Sequence, residues 1–164
     1  MTASLEPGQD PRRPRLRNGI KWKPWPTLPN GAQLSVLLGE PDEAAPFAIR
    51  MRVRPGTRIM PHRHPADYLC IVMSGDFYTG VGEEFDAGEL VAYPPGTSTV
   101  LIKGTPYFHR ADSDACIIQI TAMGPFHLDY VNPEDDPRHS ARPVSGVATR
   151  RPPLADTDGP RYEL

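Results

Sequence analysis

The stretch FAIRMRVR, Phe47–Arg54, decides the fold class of this chain. Apolar residues occupy every second position of the stretch, and alanine or arginine fills the positions between them. Side chains at positions i and i+2 lie on one face of a β-strand, so this alternation predicts a strand with an apolar face and a basic face. An amphipathic helix would instead repeat its apolar residues every three or four positions.

Short apolar runs of a similar kind continue along the chain on both sides of that strand. They are QLSVLL, DYLCIVMS, ELVAY, TVLIK and ACIIQIT, and turns rich in glycine, proline and aspartate separate them. Within two of these runs, LCIVM and CIIQI are apolar on both faces, which is typical of strands covered by two layers. Many short strands separated by turn residues indicate an all-β sandwich or barrel.

Length and composition predict a single folded domain between two arms. The chain has 164 residues, of which 38% are hydrophobic and 21 are proline. This is enough apolar material for one core. Because the prolines concentrate at the two ends, we expect residues 1–19 to be a disordered or extended arm and 137–164 a Pro/Arg-rich tail. Residues 20–136 are then the β-barrel domain.

Charge and hydropathy exclude several partners and compartments. A formal net charge of -2 argues against nucleic acid and membranes as partners. The N-terminal residues contain no apolar segment after their charges, so they do not resemble a secretory signal. Cys70 and Cys116 lie in apolar runs, which predicts buried thiols and no disulfide framework. We therefore expect a cytoplasmic protein.

A histidine pair in PHRHP, Pro61–Pro65, points to a metal site. His62 and His64 share one face of an extended strand, where two imidazoles can converge on one ion. Tyr68 is an even number of residues from both histidines, so its side chain is expected to lie on the same face of the strand. The pair alone is a weak signal, since two histidines at this spacing also occur without any metal.

The frame around the pair resembles a known family. Gly56, His62, His64 and Gly75 are spaced like the first signature of the cupins, which reads glycine, HxH, glutamate, glycine. Gly88 with PPG at 94–96 is similar to the start of the second cupin signature. The stretch GPFHLDYVNPEDDPR at 124–138 also resembles small single-domain bacterial cupins, so the likeness covers about residues 20 to 138. It implies a cupin-type double-stranded β-helix, a jelly-roll barrel with a metal in its mouth held by three histidines and a glutamate.

The chain departs from that pattern at two positions. Tyr68 stands where the first signature has glutamate, and Thr99 stands where the second signature has its histidine. Downstream, KGTPYFHRA supplies His109, which follows a Gly-Thr-Pro stretch like the one that precedes the third histidine in related cupins. We therefore expect an insertion before Gly104, with His109 or, less well, Tyr107 reaching the site.

These considerations assign candidate roles. The predicted metal ligands are His62, His64 and His109, which form a neutral set around a divalent ion, Fe(II) first and Zn, Mn or Ni as alternatives. Tyr68 is predicted to be a hydrogen-bond donor or general acid. It would be a poor metal ligand, because a phenol with a reference pKa of about 10 would first have to lose its proton. The alternative for Tyr68 is a core aromatic. Tyr107 and Gln119 are candidate substrate contacts, although Gln119 could equally bond to a neighbouring strand.

The resemblance favours a small metal-dependent enzyme that acts on a small organic molecule. Dioxygenase-type oxidoreductase, isomerase or cyclase, and decarboxylase chemistry all remain open, since a fold does not choose among them. The alternatives are a non-catalytic ligand or metal sensor, and a metal-free cupin that binds an organic ligand. The resemblance also implies a homodimer, with Trp22 and Trp25 either at its seam or packed on their own barrel.

Overall fold

The computed structural model describes residues 19–112 and 114–140. These residues form short strands, two 3-10 turns and one short helix. In chain order they are β1 Lys23–Pro24, β2 Ala32–Leu38, β3 Pro46–Val53, β4 Arg58–Arg63, β5 Tyr68–Ser74, β6 Phe77–Val81, a 3-10 turn Ala87–Glu89, β7 Val91–Tyr93, β8 Ser98–Leu101, β9 Tyr107–Ala111, β10 Cys116–Met123, β11 Asp129–Tyr130, a 3-10 turn Pro133–Asp135 and α1 Pro137–Ser140.

Two antiparallel sheets face each other. One has six strands in the order β1-β2-β3-β10-β5-β8, and the other has five in the order β11-β4-β9-β6-β7. Strands that are distant in sequence are neighbours in both sheets, as in β3 with β10 and β4 with β9. This is a jelly-roll barrel, so the all-β prediction is confirmed.

Strand β3, which contains the alternating stretch Phe47–Val53, lies in the middle of the six-stranded sheet. Phe47, Ile49, Met51 and Val53 are all buried between the two sheets, so the predicted apolar face of this strand is its inner face. The intervening basic residues face outward, where Arg50 donates a 3.1 Å hydrogen bond from Nε to the side-chain oxygen of Gln119. The inner faces of both sheets therefore form one core.

Tight turns keep the strands in register. Gly75, between β5 and β6, has a φ of 68°, a left-handed conformation that glycine adopts without strain. A Cβ at this position would lie 2.7 Å from the backbone oxygen of Ala115, so the turn also passes too close to the start of β10 for any side chain.

Both tryptophans pack on their own barrel. Trp25 packs against the core, and Trp22 lies beneath the guanidinium of Arg52, whose Cζ is 4.9 Å from the ring centroid. Among the described residues, no helix is both long and apolar enough to cross a bilayer. Most of the predicted arm and tail falls outside the described residues.

Candidate active site

The three candidate histidines meet inside the barrel. His62 is in β4, His64 follows the end of β4, and His109 comes from the neighbouring strand β9. The ring centroid of His62 lies 5.0 Å from that of His64 and 5.4 Å from that of His109. All three side chains are buried, with at most 5% of their surface exposed. His62 is thus the shared neighbour of the other two.

Each of these rings is held through its Nδ1 atom. The Nδ1 of His62 donates to the carbonyl of Met60, and that of His64 donates to the carbonyl of His127, both at 2.7 Å. A carbonyl can only accept a hydrogen bond, so Nδ1 carries the proton in both rings and Nε2 keeps its lone pair. The Nδ1 of His109 lies 3.1 Å from the hydroxyl oxygen of Thr79. A partner on Nδ1 is the usual support for a histidine that binds metal through Nε2.

Burial keeps the three rings neutral. It lowers the pKa of His62 to about 4, and burial together with the neighbouring His62 lowers the pKa of His64 to about 3. Burial, with smaller contributions from His62 and His64, also lowers the pKa of His109 well below its usual value. Only a neutral imidazole has a free lone pair, so at neutral pH the rings are in the form that binds metal ions.

The donor set fits a divalent first-row metal in chemistry and approximate spacing. Imidazole nitrogens lie about 2.1 Å from a bound ion, which puts the ring centroids of adjacent ligands roughly 5 Å apart. In their present positions, however, the described side chains include no group of three or more His, Cys, Asp or Glu spaced to hold an ion. Binding therefore requires the rings to shift toward a common point.

Tyr68 adjoins the histidines at the start of β5. Its ring centroid lies 4.9 Å from that of His64, at an edge-on angle, and the side chain is 4% exposed. Burial raises the pKa of its phenol well above the usual value, so the hydroxyl keeps its proton. The neighbouring Asp67 points elsewhere and accepts a 2.8 Å hydrogen bond from the backbone of Lys103. A protonated donor thus stands where the cupin signature has a carboxylate.

These groups line one cavity of about 300 Å³ between the sheets. That volume is at the lower end of the range for small-molecule sites. Buried apolar side chains form the rest of its inner wall: Leu28, Leu34, Ile49, Met51, Ile59, Phe77, Ile118, Ile120 and Phe126. Asp42, His127 and Arg138 line the cavity with exposed side chains and therefore mark its rim.

The structure brings His109, and not Thr99, to the histidine pair. Thr99 lies in β8 opposite Cys70 and is not part of the cavity wall formed by the described residues. Tyr107 shares the inward face of β9, but its hydroxyl accepts a 3.0 Å hydrogen bond from the backbone of Ile102, and its side chain does not line the cavity.

Gln119 lies outside the cavity, which corrects the expectation of a substrate contact. Its neighbours Ile118 and Ile120 line the cavity, so the alternation of β10 turns Gln119 to the outer face, where it accepts the bond from Arg50. It thus takes the alternative role of bonding to a neighbouring strand.

Sequence reasoning missed Thr79 and Phe126 as supports of the site. Phe126 stacks on His64, and Thr79 pairs with His109 across two strands. Thr79 could have been suspected from the sequence, because it is a polar residue among the inward-facing positions of the strand that pairs with the His109 strand. The carbonyl of His127 carries no signal at all, because any residue supplies one.

Comparison with known proteins identifies the family of this chain. The family model described as the ChrR cupin-like domain matches residues 17–107. No functionally curated protein matches the chain.

Several solved structures share the fold at low sequence identity. The polyketide cyclase RemF from Streptomyces resistomycificus has a TM-score of 0.61 and 19% identity, over 77% of this chain and 90% of RemF. An RmlC-like cupin from Shewanella frigidimarina scores 0.51 at 14% identity, over 66% of this chain and 86% of its own. Salicylate 1,2-dioxygenase from Pseudaminobacter salicylatoxidans also scores 0.51 at 14% identity, over 63% and 31%. At such identities the likeness concerns the fold. From the matched family model and this barrel we conclude that the chain belongs to the ChrR cupin-like domain family within the cupins.

Proposed function

We propose that this protein is a small metal-dependent cupin enzyme acting on a small organic molecule. The observation that carries the proposal is the convergence of three neutral imidazoles, each held at Nδ1, on one largely apolar cavity. In this proposal His62, His64 and His109 bind a divalent ion, with Fe(II) as the first candidate. When bound, such an ion supplies Lewis acidity to an oxygen of the substrate.

The chain's own groups then divide the remaining work. The buried hydroxyl of Tyr68 donates a hydrogen bond to a substrate oxygen, and can give that oxygen its proton as negative charge develops there. The carbonyls of Met60 and His127 hold two rings in the tautomer that leaves Nε2 free. The apolar wall keeps water from the reacting atoms and so strengthens these polar contacts.

The reaction belongs to one of three proposed classes: oxygenation, cyclisation or isomerisation, and decarboxylation. Fold neighbours that include a polyketide cyclase and a dioxygenase support the first two. A site that holds a substrate oxygen beside a cation and a proton donor is compatible with each of these classes.

Metal content tests the proposal. The protein is to be purified, reconstituted anaerobically with Fe(II), Zn(II), Mn(II) or Ni(II), dialysed and analysed for bound metal. We expect about one ion per chain, and its loss in His62→Ala and in His109→Ala. The matched control is His139→Ala, since His139 is exposed and lies outside the cavity wall. Retention of the ion in both cavity variants would overturn the proposal.

A metal-free cupin that binds an organic ligand is the second candidate function. It is favoured by the present spacing of the described side chains, which form no ready group for an ion. Absence of metal after reconstitution, together with ligand binding in the cavity, would support it. A sensor role, the homodimer and the cytoplasmic location remain predictions; the mass of the protein in solution tests the homodimer.

A further inference from the structure

We infer that the cavity receives an organic molecule with an apolar body and one polar end, and that this end lies against Tyr68 and the histidines. The inference rests on the site of the proposed function and names the class of molecule that the site takes. It separates apolar molecules with one oxygen-bearing end from sugars and other molecules that are polar throughout.

The buried polar groups of the cavity form one continuous patch. His62 contacts both His109 and His64, with centroid distances of 5.4 and 5.0 Å, and His64 in turn adjoins Tyr68 at 4.9 Å. These four residues are the buried polar ones among the described residues that line the cavity, and the half-buried Thr27 adds one further hydroxyl, which is itself buried without a hydrogen-bond partner. Most of the polar groups available to a ligand inside the barrel therefore lie in the patch formed by the three histidines and Tyr68.

Apart from the hydroxyl of Thr27, the remaining buried wall offers no hydrogen bonds from its side chains. It consists of leucine, isoleucine, methionine and phenylalanine side chains from both sheets, among them Leu34, Met51, Ile59 and Ile118. A second hydroxyl against this wall would lose its water without gaining a partner, which costs a large part of the binding free energy. Sugars place hydroxyls on all sides and are disfavoured for this reason.

Charge adds no second anchor inside the cavity. No carboxylate, lysine or arginine belongs to the buried wall formed by the described residues. At the rim, Asp42 and Arg138 carry opposite charges, and Arg138 is already paired with the carboxylate of Asp136. Arg138 therefore offers no free positive charge to a ligand at the rim.

Tyr68 supplies the open hydrogen bond that defines the polar end. Its hydroxyl forms no hydrogen bond with another described residue. The hydroxyl is also not one of the polar atoms that are completely buried without a partner. It therefore keeps contact with the cavity, although the side chain as a whole is 96% buried. A buried donor of this kind discriminates between ligands that satisfy it and ligands that do not.

The test compares three probes on metal-free protein by isothermal titration calorimetry. They are 2-naphthol, 2-methylnaphthalene, which has the same shape without the hydroxyl, and myo-inositol, which is polar on all sides. We expect 2-naphthol to bind about threefold to tenfold more tightly than 2-methylnaphthalene, the effect of one hydrogen bond. We expect no binding of myo-inositol at millimolar concentration.

Two variants locate the polar end. Tyr68→Phe should bind 2-naphthol and 2-methylnaphthalene with nearly equal affinity. Tyr78→Phe makes the same change on a half-buried side chain of the outer face, which lies under Arg110, and should behave like the native protein. If Tyr68→Phe fails to fold, the probe ranking on the native protein still decides.

Two outcomes would overturn the inference: equal or tighter binding of 2-methylnaphthalene to the native protein, or binding of myo-inositol as tight as that of 2-naphthol. An unchanged preference for 2-naphthol in folded Tyr68→Phe would also overturn it. Because the titrations use metal-free protein, a failure of metal binding would refute the proposed function and leave this result standing.

Discussion

The imidazole of His64 lies flat against the ring of Phe126, with centroids 4.3 Å apart and planes 6° apart. Phe126 is held in turn by a 2.8 Å hydrogen bond from its backbone N–H to the carbonyl of Pro41. The next residue, His127, accepts the Nδ1 proton of His64. One short segment after β10 therefore fixes both the plane and the tautomer of a candidate ligand.

Replacing Phe126 tests this support. Phe126→Ala removes a buried ring and should lower the free energy of unfolding by about 3–5 kcal/mol. It should also weaken metal binding, because the plane of His64 is no longer fixed. Urea unfolding and a competitive metal titration measure the two effects. The control is Phe85→Ala, which removes a half-buried ring packed on Phe108 outside the cavity wall. Equal metal affinities in the two folded variants would contradict the positioning role.

Thr79 supports His109 in the same way. Thr79→Val keeps the shape of the side chain but removes the hydroxyl that lies 3.1 Å from Nδ1. Loss of such a partner typically weakens metal binding by about 10–100-fold. A competitive titration against a chelator measures the change, and Thr79→Ser should restore most of the affinity. An affinity unchanged in Thr79→Val would show that the hydroxyl does not position the ring.

The buried histidines predict how the stability of the metal-free protein depends on pH. His62 and His64 have folded pKa values of about 4 and about 3, below the unfolded value of about 6.5. The unfolded chain therefore binds more protons as the pH falls below about 6.5, which favours unfolding. Each ring should lower stability by up to about 1.4 kcal/mol per pH unit between that pH and its folded pKa.

Urea unfolding of metal-free protein at pH 7.5, 6.5, 5.5 and 5.0 measures this dependence. The free energy of unfolding should be nearly constant from pH 7.5 to about 7 and then fall. The fall should be smaller in His62→Gln, which has one fewer titrating ring. A free energy that stays flat down to pH 5.0 would contradict the burial of neutral imidazoles.

The two cysteines should be unreactive in the folded protein. Cys70 and Cys116 are buried free thiols, and burial raises the pKa of each to about 12. The thiolate is the reactive form, so iodoacetamide at pH 8 should label neither residue until urea unfolds the chain. Mass spectrometry of the labelled protein checks this, and rapid modification of the folded protein would refute it.

The fold followed from sequence because several local signals agreed. Strict alternation in Phe47–Val53 predicted an apolar and a basic face of β3, and the structure shows that the apolar face is the inner one. The glycines of the cupin frame marked turns of the barrel. The inward face of β10 was harder to predict, because the first residues of this strand are apolar on both faces. Ile117, on the outer face, is as apolar as Ile118 and Ile120 on the inner face. The sequence therefore did not show on which face Gln119 lies.

The site was only partly predictable for a similar reason. The three histidines could be identified from the sequence, two by their spacing and His109 because it lies downstream in the right region. The structure brings all three rings together. Their supports come from a backbone carbonyl, a stacked ring and a hydroxyl on distant segments. Such contacts depend on the folded arrangement of β4, β6 and the chain after β10, for which one sequence contains no local pattern.

X-ray absorption spectroscopy of zinc-loaded protein tests most directly whether the three imidazoles bind one ion. We predict three imidazole nitrogens at about 2.0–2.1 Å from zinc, with oxygen ligands completing the shell. His109→Ala should remove one of these nitrogens. A shell containing sulfur, a shell with fewer than three imidazoles, or a spectrum that His109→Ala leaves unchanged would contradict binding by all three histidines.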